Sequence, residues 1–399
     1  MRENDRTAFG VLLSICFCHL NNDMLQSLLA AAYPALKIEF QLSFAQIGLI
    51  TLAYQLTASL LQPVVGLYAD RRPAPFSLPA GTLFTFTGLL VLAGAGGYAG
   101  LMTGACVLGM GSSIFHPEAS RVARMAAGGR PGLAQSLFQV GGNVGSALGP
   151  LGAAFVVLRW GRPALGAFSL LALVSTAILY GVGLWYKRHG LARAARTRAA
   201  PRCEAEAGRL TAIQLRASVA VLMTLIFSKF VYLASFTSYY TFYLMHHFRI
   251  SMASAQMHLF ALFAAVAAGT LVGGPLGDRI GRKVIITFSI LGVLPFSLAL
   301  PYAGLFWTGV LSLAIGFVLA SAFPAIVVYG QELIPGRVGV VAGLFFGLSF
   351  GAAGLGAALL GKLADTTSVE HVYHLVAFLP ALGVVAPLLP SLRSSSPSP

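Results

Sequence analysis

Charge is what this chain has least of. Lys, Arg, Asp and Glu make up 10% of its 399 residues, against 57% for the hydrophobic types. A soluble domain carries about a quarter charged residues because its surface faces water, so a soluble fold is excluded. One anchor on a soluble domain is excluded too, since apolar stretches recur along the whole length. Cysteine is scarce. Cys16 and Cys18 fall two apart on one helix and point to nearly opposite sides, while Cys106 and Cys203 stand alone. Nothing in that set has disulfide or zinc spacing. H-E-x-x-H, a nucleophile elbow and a phosphate-cradling glycine loop are also missing. The segment HPE (116–118) puts its His and Glu on different helix faces. No catalytic residue, metal or cofactor is therefore expected, and an ATP-driven pump would need a nucleotide domain that the sequence does not show. MRENDRT lacks signal-peptide organisation, so the first apolar run is expected to remain in place.

What is present is a series of twelve apolar segments, near 10–36, 44–69, 76–97, 99–124, 133–158, 163–186, 213–245, 254–277, 284–302, 304–331, 338–363 and 370–389. Each approaches the roughly 20 residues that span a bilayer core. The net charge of +14 sits mainly in alternate loops, with Arg193, Arg196, Arg198, Arg202, Arg209 and Arg216 crowding 187–216. The opposite loops hold only Lys37, Arg159, Arg162, Arg249 and Lys362. That asymmetry is a topology signal and argues against nucleic-acid binding. It places both termini of a multi-pass membrane protein in the cytoplasm.

The chain repeats itself. An offset of 207 superposes Gly109 on Gly316, Pro117 on Pro324, Gly129-Arg130 on Gly336-Arg337, Leu137-Phe138 on Leu344-Phe345 and Gly149 on Gly356. The expected organisation is an all-α membrane protein of two six-helix bundles, 1–186 and 213–389, joined by a basic linker at 187–212 and followed by a tail at 390–399. Parallel halves of inverted triplets describe the major facilitator architecture.

GPLGDRIGRK (274–283) matches the G-x-x-x-D-R-x-G-R-K loop signature of the major facilitators, and GLYADRR (66–72) is a shortened first-half copy. The resemblance implies a gating latch built from Asp70, Arg71, Gly274, Asp278, Arg279 and Arg282; a plain topology determinant is the alternative. GSALGPLG (145–152) is similar to the fifth-helix pattern of drug/proton antiporters, with Gly145, Gly149 and Pro150 setting helix approach and bend. Ordinary small-residue packing is the other reading. HLNNDMLQSLL (19–29), SLLQPVVG (59–66), GSSIFHPEASRVARMAAGGRPGLAQSLFQVGGN (111–143), SFTSYYTFYLM (235–245) and AVAAGTLVGGPLGDRIGRK (265–283) resemble the fosmidomycin-resistance transporters of bacteria. That resemblance implies a proton-driven exporter of the phosphonate antibiotic fosmidomycin and other small antimicrobial compounds, in a bacterial inner (cytoplasmic) membrane, and the family's usual monomeric state.

Ionisable residues inside spans are rare and default to functional hypotheses. Here they concentrate in the first, fourth and seventh spans, which line the central cavity in the major facilitator arrangement. His19 and Asp23 stand at i, i+4, with Gln26 beyond them. Glu118 and Arg121 can pair at i, i+3, with His116 about 200° away from Glu118. Gln139 and Asn143 continue a stripe in the fifth span, as does Gln55 in the second. Lys229, Tyr232 and Phe236 share a face of the seventh, and Lys229 falls at the repeat position of the first span's polar centre. The expected proton-coupling residues are Asp23, Glu118, His116 and His19. The expected substrate contacts are Lys229, Arg121, Gln139, Asn143, Tyr232, Phe236, Gln26 and Gln55, the cations facing an anionic phosphonate. Structural ion pairing for Asp23 and Glu118, and plain packing for the Gln and aromatic stripes, remain open beside these roles. A proton symporter importing a small organic anion and a non-transporting membrane sensor are the rival functions.

Overall fold

A computed structural model describes residues 7–71, 74–127, 131–190, 211–334 and 338–390. It is helical throughout those residues. The first half contains α1 (Phe9–Ala31), α2 (Tyr33–Phe40), α3 (Phe44–Arg71), α4 (Ser77–Ala93), α5 (Tyr98–Ala126), α6 (Pro131–Gly152) and α7 (Leu165–Trp185). The second contains α8 (Ala212–Phe248), α9 (Met252–Ile280), α10 (Arg282–Leu291), α11 (Leu294–Ala299), α12 (Leu305–Ala320), α13 (Ala322–Leu333), α14 (Val338–Thr366) and α15 (Val369–Val376). Among the described residues, ten helices are long and apolar enough to cross a membrane. Ser77–Ala93 is apolar but shorter, and α1 has the length but carries His19, Asn21, Asn22 and Asp23.

Prolines account for most departures from the sequence reading. The run expected as one helix over 10–36 breaks at Ala32, because Pro34 opens α2 and supplies no N–H to the turn before it. Pro295 similarly opens α11 after a break at Gly292-Val293. The last segment is α15 followed by a 3₁₀ stretch, Leu379–Leu388, that contains Pro380 and Pro387. The helical path after α7 continues through a π turn, Tyr186–Gly190, four residues into the expected linker. The rest of that linker up to 210, with Cys203 and most of its arginines, lies outside the described residues, as does the tail. α8 starts at Ala212 because Thr211 and Gln214 form a capping box: Gln214 N–H donates to Thr211 Oγ1 at 3.2 Å, and Thr211 N–H to Gln214 Oε1 at 3.0 Å.

Helix packing groups the described residues into two halves. α1 lies along α6, α3 along α5 and α4 along α5 and α7, while α8 lies along α14 and α9 along α12. The halves meet mainly where α3 runs along α14 and α6 along α9. Glycines permit the closest approaches: a Cβ on Gly145 would sit 2.0 Å from the Leu20 carbonyl oxygen of α1. The small-residue pattern at 145–149 therefore packs α6 on α1 within one half. Large apolar side chains such as Leu60, Leu170, Phe288 and Phe306 are exposed, as a lipid-facing surface requires.

The apolar core is asymmetric along the membrane axis. One cluster runs from Leu25, Leu36 and Ile50 through Tyr239, Leu259 and Leu360, joining both halves at the end that carries α2. Toward the other end the buried apolar residues fall into separate groups. One, around Leu12, Phe115 and Leu179, belongs to the first half; the other, around Leu222, Ile286 and Ile326, to the second. At the joined end Arg162 pairs with Glu39 at 2.9 Å and donates to the Leu92 carbonyl at 3.1 Å, closing the C-terminus of α4.

A buried histidine–aspartate site and its aromatic counterpart

At the midpoint of α1, Asp23 is held between two imidazoles. His19 Nε2 lies 3.3 Å from Asp23 Oδ2, and His116 Nε2, brought in by α5, lies 3.4 Å from Oδ1. Asn22 donates to Oδ1 at 3.0 Å. The other nitrogen of each ring is fixed by backbone. His19 Nδ1 is 2.6 Å from the Phe138 carbonyl of α6, and His116 Nδ1 is 3.1 Å from the Ser112 carbonyl one turn earlier. A carbonyl only accepts, so His19 Nδ1 carries a hydrogen. A neutral His19 so oriented presents a bare lone pair at Nε2 to a carboxylate oxygen, which repels unless a proton or positive charge lies between them. His116 Nδ1 also meets the Ser112 hydroxyl at 3.2 Å, which can donate to it and leave Nε2–H to donate to Asp23. His19 also stacks on Phe138, with ring centroids 3.9 Å apart, and meets His116 edge-on at 5.2 Å.

Gly142 makes this packing possible. A Cβ there would lie 2.5 Å from His19 Cε1 and 2.6 Å from Asp23 Oδ2. The three residues also offer ligand atoms within 4.8 Å of one another, a distance a metal ion could bridge, which no linear spacing in the sequence shows. Each imidazole, however, faces a different carboxylate oxygen. That suits two proton contacts better than one metal centre.

Glu118 stands on the opposite side of α5. It is fully buried, pairs with Arg121 at 3.6 Å and accepts from Ser77 Oγ of α4 at 3.2 Å. Two expected residues, the acid Glu118 and the cation Arg121, thus face each other and not Asp23. Gln26 accepts from Tyr54 of α3. Gln55 presents a buried Oε1 without a partner among the described residues, and Gln139 and Asn143 are half-buried on α6.

In the second half, Lys229 of α8 is 4% exposed, and its Nζ has no hydrogen-bond partner among the described residues. It lies 5.8 Å from the Phe230 ring centroid and 5.5 Å from that of Phe323 on α13. Rings continue from there toward the first half: Phe323 to Phe346 at 5.2 Å, Phe346 to Phe350 at 6.5 Å, and Phe350 to His116 at 5.9 Å. Tyr232 and Phe236 continue the helix face that begins at Lys229 but meet different neighbours. Phe236 packs on Tyr373 of α15 at 5.8 Å and on Tyr232 at 5.3 Å, and both are nearly fully buried.

Phe323, Phe346 and Phe350 were not singled out by the sequence reading, yet the repeat contains them. At the same offset of 207, Asn22-Asp23 corresponds to Lys229-Phe230, His116 to Phe323, Gln139 to Phe346 and Asn143 to Phe350. Of the expected gating residues, Asp70 and Arg71 fall on the last turn of α3, Gly274, Asp278 and Arg279 on the later part of α9, and Arg282 opens α10. Apart from Arg282, their side chains lie outside the described set. Gly281, between α9 and α10, has φ +97°, which explains the glycine at that place in the loop motif.

The model of the major facilitator superfamily matches residues 15–358 and 231–398. The chain belongs to the major facilitator superfamily. It is 55% identical over 388 residues to the fosmidomycin resistance protein of Escherichia coli (strain K12), covering 97% of this chain and 94% of that protein. It is 40% identical over 386 residues to the uncharacterized MFS-type transporter YfnC of Bacillus subtilis (strain 168), covering 96% and 94%. Solved structures agree on the fold. A D-xylose–proton symporter superposes with a TM-score of 0.75 at 16% identity, covering 97% of this chain and 99% of that one. A bacterial homologue of the lysosomal transporter Spinster, inward-facing and occupied, gives 0.74 at 15% identity, covering 95% of each. This facilitator is a multi-pass membrane transporter of small molecules and not an enzyme, and its bacterial relatives place it in the inner membrane.

Proposed function

We propose that this facilitator exports fosmidomycin, a phosphonate anion, from the cytoplasm in exchange for protons. Twelve spans carry it out by alternating access, in a monomer of two six-helix bundles with cytoplasmic termini. The substrate name comes from the 55% identical relative. The observation that carries the reading is the contact of Asp23 with two imidazoles, one of which, His19, has its Nδ1 hydrogen committed to a backbone carbonyl. The His19–Asp23 contact is favourable with an added proton between them, and imidazole is the side chain suited to proton exchange near neutral pH. Asp23, His19 and His116 are the proton-carrying group, and Glu118 with Arg121 is the structural pair beside it. Lys229 supplies the anion contact: a buried ammonium between aromatic rings has lost its water and gains most from an anion. Gln139, Asn143, Gln26 and Gln55 are proposed as neutral hydrogen-bonding contacts for the substrate, while Tyr232 and Phe236 support α8.

The test is expression in a bacterium lacking its own exporter, scored for fosmidomycin resistance and for loss of resistance when the proton gradient is collapsed. Unchanged sensitivity despite good membrane insertion would refute the substrate. Resistance that survives collapse of the gradient would refute the coupling.

A further inference from the structure

The first N–H groups of α3 are satisfied from two different halves of the molecule. Ser43 and Gln46 form a capping box: Ser43 N–H donates to Gln46 Oε1 at 2.9 Å, and Gln46 N–H to Ser43 Oγ at 3.1 Å. The two N–H groups between them have no partner within their own helix. Phe44 N–H donates to Asp365 Oδ1 at 2.8 Å and Ala45 N–H to Oδ2 at 2.7 Å. Asp365 lies in the last turn of α14, more than three hundred residues along the chain.

The surroundings make this contact specific to a closed end. α3 and α14 touch here through glycines: a Cβ on Gly48 would lie 2.5 Å from the Ala357 carbonyl oxygen, and one on Gly361 would lie 2.4 Å from that of Phe44. Lys37 donates to the Leu42 carbonyl and stands 4.2 Å over the Phe44 ring, holding the turn that presents the two N–H groups. Other bonds between the halves gather at the same end. Tyr239 reaches Phe44, Thr51 meets Ser238 at 3.5 Å, and Gln256 donates to the Ala31 carbonyl at 2.7 Å. This is also the end where the apolar core is continuous across both halves.

We propose that Asp365 is a positioning residue of the transport cycle, a carboxylate staple that holds α14 on the N-terminus of α3 while the end bearing α2 is closed and lets go when it opens. The positive end of a helix favours a carboxylate, and both oxygens are used, so the pair resists sliding as well as separation. On opening, water replaces Asp365 at the two N–H groups. The staple lies at the membrane end opposite the G-x-x-x-D-R-x-G-R-K loop, on the outer side if the termini are cytoplasmic as proposed above.

The test uses the full chain with Cys16, Cys18, Cys106 and Cys203 replaced by Ser and a reporter cysteine at Ser238, which is buried beneath the staple. A membrane-impermeant maleimide is applied to intact cells and to inverted vesicles. Asp365→Ala is expected to speed labelling about threefold to tenfold, as a lost charge–helix contact with two hydrogen bonds implies. Asp365→Asn, which keeps one acceptor oxygen, is expected to give an intermediate rate. Ser43→Ala weakens the same helix end without touching the other half and separates a gate from a mere cap, so its labelling is expected to stay near the parent rate. Equal rates for parent and both Asp365 variants at matched amounts of folded protein would overturn the proposal, and so would an equal increase from Ser43→Ala. Acceleration confined to inverted vesicles would uphold the staple and reverse the assignment of sides, leaving the two readings distinguishable.

Discussion

Gly142→Ala adds one methyl group at the point where α6 meets the histidine–aspartate group, the proposed proton centre. Its Cβ would stand 2.5 Å from His19 Cε1 and 2.6 Å from both His19 Nε2 and Asp23 Oδ2, against an ordinary contact of about 3.5 Å. The imidazole or the carboxylate therefore has to give way by about 0.9 Å. His19 has little freedom to do so. It is stacked on Phe138 at 3.9 Å and hydrogen-bonded to the Phe138 carbonyl at 2.6 Å, both on the helix that carries the new methyl. Moving away from α6 breaks that bond, and moving along it opens the 3.3 Å contact with Asp23.

Two energies compete in the measured stability. Overpacking costs about 1–3 kcal/mol, while Ala in place of Gly in a helix interior returns about 1 kcal/mol. The net loss of stability is thus expected to be about 0–2 kcal/mol, a small shift in the unfolding temperature of the detergent-solubilised protein. Transport is expected to fall much further. Loss of one hydrogen bond to a charged group, about 1.5–3 kcal/mol, corresponds to a drop of about tenfold or more. The assay is proton-gradient-driven transport of labelled fosmidomycin in reconstituted vesicles, with substrate counterflow measured in parallel. Gradient-driven transport should collapse while counterflow persists. Wild-type gradient-driven transport in Gly142→Ala would show that the His19–Asp23 contact is not part of coupling. Gly145→Ala is the contrasting case: its Cβ meets the Leu20 backbone oxygen at 2.0 Å, so folding suffers along with transport.

Three further outcomes follow from the same geometry. Asp23→Asn keeps the shape of the side chain and removes its charge, so counterflow should continue while accumulation against a gradient stops; full pH-driven efflux in this variant would sink the proton assignment. Lys229→Met removes a buried ammonium without a partner among the described residues, so the unfolding temperature should rise while fosmidomycin transport falls at least about tenfold, and Lys229→Arg should restore part of the transport; a fall in thermal stability with transport intact would contradict the anion role. Gly281→Ala forces an L-residue to φ +97° and should cost about 1–3 kcal/mol, read as a lowered unfolding temperature; no change would mean the α9–α10 turn relaxes freely.

Much of this was readable in order along the chain, and the remainder depended on which helices meet. The helical periodicity that put His19 and Asp23 on one face is local, and the structure places them 3.3 Å apart. The separation of His116 from Glu118 is also local, since two positions along a helix turn a side chain by about 200°. What no single helix contains is the choice of partner. His116 turns to α1 and Glu118 to Arg121 and Ser77 because α5 packs between α1, α3 and α4. The pairing of Arg121 with Glu118 lies within one helix and is the i, i+3 contact the sequence allowed. Tyr232 and Phe236 share the face of Lys229, but two turns of helix rise about 11 Å, enough to pass from α13 to α15. Asp365 escaped notice because an acid at the end of a span looks like any solvated charge until the helix end opposite it is known.

The repeat explains why the two centres differ in chemistry yet sit level with each other. Duplicated positions occupy matching depths in the two halves, so Lys229-Phe230 stands where Asn22-Asp23 stands, and Phe323 where His116 stands. Under the proposed function, the first half fills those places with groups that exchange protons, and the second with a cation and rings that hold an anion and exclude water. Phe350 approaches His116 to 5.9 Å, so an anion on Lys229 and a proton on the histidine–aspartate group share one low-dielectric space. Opposite charges attract strongly in such a space. A bound phosphonate at Lys229 therefore strengthens proton binding at the other centre, a coupling that by itself would carry both in one direction. Exchange then demands that the two ligands leave to opposite sides. In the exchange proposed above, the rearrangement that alternates access has to supply that condition, with the proposed Asp365 staple holding one end closed until it occurs.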